Sequence, residues 1–246
     1  MEEEIILEGH ISIEAAIKAN NREIFTIYIK KNKGYRETAK LQKMAKAKNI
    51  PVKRVSTEFI NAKVQGQTHG GMIAIVGQRK LLNLEDLIKD KKNPFIVMID
   101  GIEDPFNFGF AVRSLYAAGV DGLVVRNRNW MSAAGVVAKS SAGATELIPT
   151  ASVETALEAA EFFKSKGLKV ACTANKNAVD IYEADLTYPM FLLIGGEKRG
   201  ITRSFLNKAD ILLRIPYGRE YTASLTASSS SAIISFEAMR QRGRIV

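Results

Sequence analysis

The sequence predicts an α/β protein in two parts, a larger C-terminal domain built on a mainly parallel sheet and a small N-terminal α/β sandwich. Three observations carry this expectation. From Phe95 onward short apolar runs alternate with longer helical stretches, the pattern that a parallel sheet with crossover helices requires. One of those runs, Phe191 to Ile194, goes straight into Gly195, Gly196, Glu197, Lys198, Arg199 and Gly200, which reads as a buried strand ending in a loop that exposes its main chain. In an open α/β sheet, ligands lie beyond such strand ends, and glycines there admit a close approach to the backbone. Charge divides the chain in the same place: residues 1–80 hold 15 Lys and Arg against 8 Asp and Glu, a balance of +7, whereas residues 81–246 hold 20 against 18, a balance of +2.

With 246 residues, 46% of them apolar, the chain is long enough for two cores. The boundary is expected near residue 80, with 81–94 (L-L-N-L-E-D-L-I-K-D-K-K-N-P) as a charged connection and 95–246 as the second domain. Within the first part, Ser12 reads as the N-cap of a helix to Ala19, and Glu23–Ile29 is a strand rich in β-branched and aromatic residues. A helix from Tyr35 to Lys48 sets Arg36, Lys40, Lys43 and Lys46 along one side, roughly opposite Leu41, Met44 and Ala45. Strands at Pro51–Val55 and Met72–Gly77 follow, the second preceded by a loop containing His69, Gly70 and Gly71. His10 and His69 are the only histidines, and each lies beside glycine, where an imidazole fixes a turn or contacts RNA.

In the second part the expected order is a strand at Phe95–Asp100, a loop to Phe108, a helix over Gly109–Gly119 and a strand at Leu123–Arg126. A helix near Met131–Lys139, an extended segment at Leu147–Thr150 and a helix over Val153–Lys166 lead to a strand at Leu168–Thr173. The strand at Phe191 is read as central. It is followed by a short helix at Thr202–Asn207, a strand at Ile211–Ile215 and a terminal helix over Ser224–Arg240. Cys172 is the only cysteine, so no internal disulfide can form, and its strand context makes it a buried thiol.

Several function classes are disfavoured at this stage. No apolar run approaches the roughly 18 to 20 residues of a membrane span, and the acidic start is unlike a signal peptide, so a cytoplasmic protein is expected. No G-x-G-x-x-G follows an expected strand, which argues against a dinucleotide enzyme. Two histidines and one cysteine give little material for a metal centre, and none is expected. The basic first third points to a polyanion, whose phosphates supply sequence-independent affinity.

Three stretches converge on a more specific reading: Asp100 to Arg113 (D-G-I-E-D-P-F-N-F-G-F-A-V-R), Ile194 to Gly200 (I-G-G-E-K-R-G), and Ile215 to Ser228 (I-P-Y-G-R-E-Y-T-A-S-L-T-A-S). In this order and near these separations they resemble the signature motifs of the SpoU (TrmH-like) branch of the SPOUT RNA methyltransferases. The first 80 residues resemble the ribosomal-protein-like substrate-binding domain of many members. The resemblance implies transfer of a methyl group from S-adenosylmethionine to a ribose 2′-hydroxyl of RNA, with ribosomal RNA favoured over tRNA. It also implies a C-terminal domain with a deep trefoil knot, and a homodimer with the active site at the subunit boundary.

Carried over residue by residue, the resemblance makes Arg113 the residue that positions the RNA and assists loss of the hydroxyl proton. An arginine is a poor base, so orientation and charge stabilisation are the roles its chemistry supports. Asn107 is implied to precede the helix and fix that arginine or the RNA backbone, Glu197 to support the active-site loops, and Ser224 to match the serine of the third motif. Thr173, Ile194, Gly195, Gly196, Gly200, Ile215, Pro216, Leu225 and Thr226 fall where the family's main chain meets the cofactor. Arg36, Lys40, Lys43 and His69 are the expected RNA contacts of the first domain. Thr226 departs from the pattern, because the family has asparagine there. A binding protein with weak or no methyl transfer is the alternative that this departure keeps open.

Overall fold

A computed structural model describes residues 5–64, 68–127, 133–196 and 200–243. The chain divides into two compact units, one of Met1–Lys80 with Trp130–Leu147, the other of Leu81–Asn129 with Ile148–Val246.

In the first unit, strands β1 (Ile5–Glu8), β2 (Ile24–Lys30), β3 (Val52–Val55) and β4 (Met72–Val76) form a sheet of order β1-β4-β2-β3. Helices α1 (Gly9–Ala19) and α2 (Tyr35–Ala47) cover one face, and the short α3 (Thr57–Asn61) lies at the other. The alternation in β2 explains the layering. Ile27 and Ile29 are buried with Leu41 and Ala45 of α2, while Tyr28 and Lys30 face away from that core. As expected, Arg36, Lys40, Lys43 and Lys46 of α2 are exposed.

Ser12 is not the N-cap of α1. The helix begins three residues earlier, and Ser12 lies buried inside it, its hydroxyl donating to the carbonyl of Ala138 at 3.3 Å. That partner belongs to a segment expected in the second domain. Helices α6 (Ala134–Ser140) and α7 (Ala144–Leu147) instead complete the first unit. Gly135 allows this packing, because a Cβ there would stand 2.4 Å from the carbonyl oxygen of Ile6 in β1. Lys139 adds an ion pair to Glu8 at 2.5 Å.

The α7 contact is sealed by buried charge. The Arg22 and Glu146 side chains are 4% and 2% exposed, with Nε and Oε2 at 2.9 Å, and Asn21 donates to the Glu146 carbonyl at 2.9 Å. Burial pushes the Arg22 and Arg79 guanidiniums below their ordinary range, with the Glu146 carboxylate opposing the shift in both.

The second unit holds a sheet of order β7-β6-β5-β10-β8-β11-β9, parallel throughout, from β5 (Phe95–Asp100), β6 (Gly122–Arg126), β7 (Thr150–Val153), β8 (Lys169–Thr173), β9 (Val179–Asp180), β10 (Met190–Gly195) and β11 (Ile211–Arg214). The strand at Phe191 is central, as its apolar run requires: β10 is buried from Met190 to Ile194 because it is covered on both faces. Phe163, Phe191 and Phe205 stack through one side of this core, with Phe163 and Phe191 centroids 4.9 Å apart. Cys172 lies in it fully buried, and burial pushes its thiol up to about 12.

Helices α5 (Pro105–Ala117), α8 (Ala156–Ser165), α9 (Arg203–Leu206) and α10 (Ala227–Gln241) complete this unit, with α4 (Leu84–Ile88) inside the stretch expected to be a linker. Leu87 of α4 is fully buried in the second core and Leu82 bridges to Ala151, so residues 81–94 are a working part of this unit. Among the described residues no helix is long and apolar enough to cross a membrane.

Candidate active site

The strand order fixes where a ligand can lie. From β5 the chain moves outward through β6 and β7, then places β10, β8 and β11 on the other side of β5, so the order reverses at the junction of β5 and β10. The carboxyl ends at such a reversal leave a crevice. Here the register pairs Gly195 with Asp100. Beyond that pair the two chains nearly touch: a Cβ on Gly196 would stand 2.1 Å from the Gly101 oxygen, a distance that only glycine permits. Gly195 is similarly confined, with Ile201 Cγ1 at 2.8 Å from its would-be Cβ. Gly200 meets nothing within 4 Å and is needed for its φ of +57° instead.

On the other flank of β10, Thr173 ends β8, and its hydroxyl accepts from the Gly195 amide at 3.3 Å. Thr173, Gly195 and Gly196 are therefore brought together. Ile194 is buried, so only its main chain is available to a ligand. At the end of β5, Asp100 is paired with Arg126 at 2.9 Å.

The stretch after β11 makes the next wall. Ile215 and Pro216 are half-buried, and the exposed loop that follows is closed by Tyr217, whose hydroxyl accepts from the Leu225 amide at 3.0 Å. Tyr217 also lies against Tyr221, with ring centroids 6.2 Å apart. Sequence reasoning passed over Tyr217. Its signal was a tyrosine set between a proline and a glycine, a turn context in which a hydroxyl can fold back on the loop. Ser224 is exposed on that loop.

Thr226 has a definite structural task. It is the N-cap of α10, its hydroxyl accepting from the Ser229 amide at 3.1 Å and lying 2.9 Å from the Ser228 hydroxyl. Asparagine and threonine are both capping residues, so the departure from the family pattern preserves the helix start. Thr226→Asn is expected to hold the melting temperature and change methyl transfer by no more than a few-fold, whereas Thr226→Ala should cost about 1 kcal/mol of stability through the lost cap. Thermal melts and initial rates of the two variants check both statements.

Helix α5 begins earlier than expected, because Asp104 caps it by accepting from the Phe106 amide at 2.9 Å and Pro105 occupies its first position. Asn107 thus sits inside the first turn instead of preceding the helix. Six residues separate it from Arg113, which places the two side chains roughly 120° apart around the axis, and no hydrogen bond joins them. Asn107 does not fix the arginine in this structure. Arg113 is exposed and has no hydrogen-bond or ion-pair partner among the described residues. Glu197 lies outside the described residues.

In the first unit, His69 is buried, and its Nδ1 accepts from the Gly71 amide at 3.0 Å. It fixes the turn and presents no exposed imidazole to RNA. Arg36 and Lys43 are exposed, and Lys40 is ion-paired with Glu14.

Family models match both parts of the chain: the SpoU rRNA Methylase family over residues 94–236, and the RNA 2′-O ribose methyltransferase substrate-binding domain over residues 6–82. A 23S rRNA (guanosine-2′-O-)-methyltransferase, RlmB of Shewanella oneidensis, is 29% identical over 98% of this chain and 99% of its own length. A putative TrmH family tRNA/rRNA methyltransferase of Bacillus subtilis, YacO, is 30% identical over 92% of each chain. In fold, the chain is similar to the SpoU methyltransferase AviRb of Streptomyces viridochromogenes, solved with AdoMet, at a TM-score of 0.82 and 21% identity over 98% of this chain and 92% of that one. With the methylase model spanning more than half of its length, this chain belongs to the SpoU rRNA methylase family.

Proposed function

We propose that this protein transfers the methyl group of S-adenosylmethionine to a ribose 2′-hydroxyl of ribosomal RNA in the cytoplasm, large-subunit RNA being favoured by the likeness to the Shewanella enzyme. The observation that carries the reading is the match of residues 94–236 to the methylase family, on the domain whose strand order reverses between β5 and β10 and whose central strand runs into Gly195 and Gly196. The residues at these strand ends fit the cofactor: Thr173, Ile215, Pro216 and Leu225 are partly buried and Gly200 is exposed, and the neighbouring glycines put little bulk against an adenine. The cofactor supplies an electrophilic methyl group on a sulfonium.

The chain's own residues then have to hold the 2′-oxygen in line and stabilise it as its proton leaves. Arg113 suits this, because a guanidinium stays protonated and its fork can hold a phosphate beside the reacting hydroxyl. Ser224 and Asn107 offer further polar contacts to RNA, and Glu197 is the acidic residue that the second motif would contribute. A deep trefoil knot is the topology we assign to this domain.

The surface of α5 supports a homodimer. Phe106 and Phe110 are 53% and 48% exposed and form one stripe with Arg113, and α10, which packs on α5, exposes Phe236 at 42%. A second copy laid on this stripe covers the aromatic rings and brings Arg113 to the subunit boundary.

The reaction is tested by tritium transfer from labelled S-adenosylmethionine to ribosomal RNA from a strain lacking the gene. The product should resist alkaline cleavage at the modified linkage, since a methylated 2′-oxygen cannot attack its own phosphate. Cofactor binding without any incorporation would establish the binding-only alternative. RNA recruitment is tested on α2, because deleting residues 1–80 would also strip α6 and α7 of their packing. Arg36→Ala with Lys43→Ala should lower the slope of log affinity against log salt by about 1.5 and leave cofactor affinity unchanged; an unchanged slope would place the RNA elsewhere.

A further inference from the structure

The face of the first sheet turned away from α1 and α2 carries a feature that the proposed reaction does not use. Tyr28 of β2 and Phe59 of α3 form an aromatic pair, with centroids 4.9 Å apart and planes inclined at 44°. The Nζ of Lys63 stands 5.5 Å from the Phe59 centroid. The register of β2 with β3 sets Lys53 directly beside Tyr28, and Lys30 lies on the same face two residues further along. Lys53 and Lys63 are exposed, and Phe59 is 36% exposed. Glu58 is the acidic neighbour, so three cations face one carboxylate.

The placement of Phe59 is held by local structure. Ser56 caps α3 by accepting from the Phe59 amide at 3.3 Å, which orients the first turn, and Ile60 beside it is fully buried and anchors the helix to the sheet. The ring is thereby presented on a short rigid element. β3 is an edge strand of this sheet, so the platform is open along that side. Exposed rings interleaved with lysines are the composition that binds unpaired nucleotides, the rings stacking on a base while the ammonium groups meet the flanking phosphates. A protein partner with an acidic surface would need the cations and not the ring.

We propose that Tyr28, Phe59, Lys53 and Lys63 form a subsite for one unpaired nucleotide of the RNA substrate, the base stacking on Phe59 and the adjoining phosphates meeting Lys53 and Lys63. This rests on the reading of the protein as an RNA enzyme and adds to it a place in the first unit where single-stranded RNA is gripped. On this reading the first unit prefers loops and bulges over duplex, since only an unstacked base can reach the ring.

The test is the affinity of the full-length protein for a short unstructured RNA, for a duplex RNA of the same length, and for heparin as a polyanion without bases. Phe59→Ala should weaken single-strand binding about 5- to 150-fold, the range that loss of one stacked base implies, and leave duplex and heparin affinity within about twofold. Phe59→Trp should keep the single-strand affinity and Phe59→Leu should lose it, because leucine preserves the packing and not the stack. Lys53→Ala with Lys63→Ala should lower the single-strand salt slope by about 1.4. Unchanged single-strand affinity in Phe59→Ala, or an equal loss for heparin, would overturn the subsite while leaving the RNA-enzyme reading in place. Absence of RNA binding by the wild-type protein at any salt would overturn both.

Discussion

Arg113→Ala is expected to lower the rate of methyl transfer by at least about 100-fold, or about 2.7 kcal/mol of transition-state stabilisation, while the melting temperature moves by no more than about 2 °C. The two halves of the expectation have separate grounds. Stability is spared because the guanidinium is exposed and has no partner among the described residues, so its removal breaks nothing that folding has made. Rate is lost because a charge fixed beside the reacting oxygen acts mainly in the transition state, where the 2′-oxygen gains negative charge. Arg113→Lys separates charge from geometry: the ammonium keeps the charge but loses the planar fork, and a partial recovery of about tenfold over the alanine variant is expected. Single-turnover rates with saturating cofactor measure both variants, and a melt measures the fold. Full activity in Arg113→Ala with a lowered melting temperature would return this residue to a structural role.

How much of this was legible in the sequence depended on whether the deciding contacts were local. The long apolar strands were, because β5 and β10 are buried on both faces and read as nearly unbroken apolar runs. The shortest element was not: β9 has two residues, too few to show a period. The start of α5 was legible and was missed, since Asp104 followed by Pro105 is a helix-start signal; reading it would have placed Asn107 inside the helix. The role of Thr226 was legible in the same way, as a capping residue before a run of serines. The site depended on non-local facts. That Gly196 must be glycine follows from the Gly101 carbonyl, and that Tyr217 holds the third motif follows from a fold-back bond to Leu225. One distant contact misled most. Nothing in residues 134–147 announces that they pack with β1 and α1, because Ser12 and Ala138, which touch, are 126 residues apart in the chain.

That packing makes the second large expectation, Glu146→Gln, a test of how the first unit is held together. The carboxylate is 2% exposed and is shared by Arg22, through contacts at 2.9 and 3.1 Å, while Arg79 feels its charge in the same buried setting. Replacing it with a neutral amide keeps the shape and leaves two desolvated guanidiniums facing each other, already pushed below their ordinary range by burial. Breaking a buried pair by removing one partner costs about 3–5 kcal/mol, and at about 4–8 °C per kcal/mol for a unit of this size the transition that melts it should fall by roughly 12–40 °C. The loss should be confined to that transition, because Glu146 makes its contacts inside one unit and the second core is built from other residues. Arg22→Met combined with Glu146→Leu should recover part of it, since a buried ion pair replaced by apolar side chains of similar volume is often neutral. Scanning calorimetry of the three proteins is the measurement. A Glu146→Gln protein that melts within about 2 °C of the wild type would mean that water reaches the pair, and that α7 is held by its apolar contacts alone.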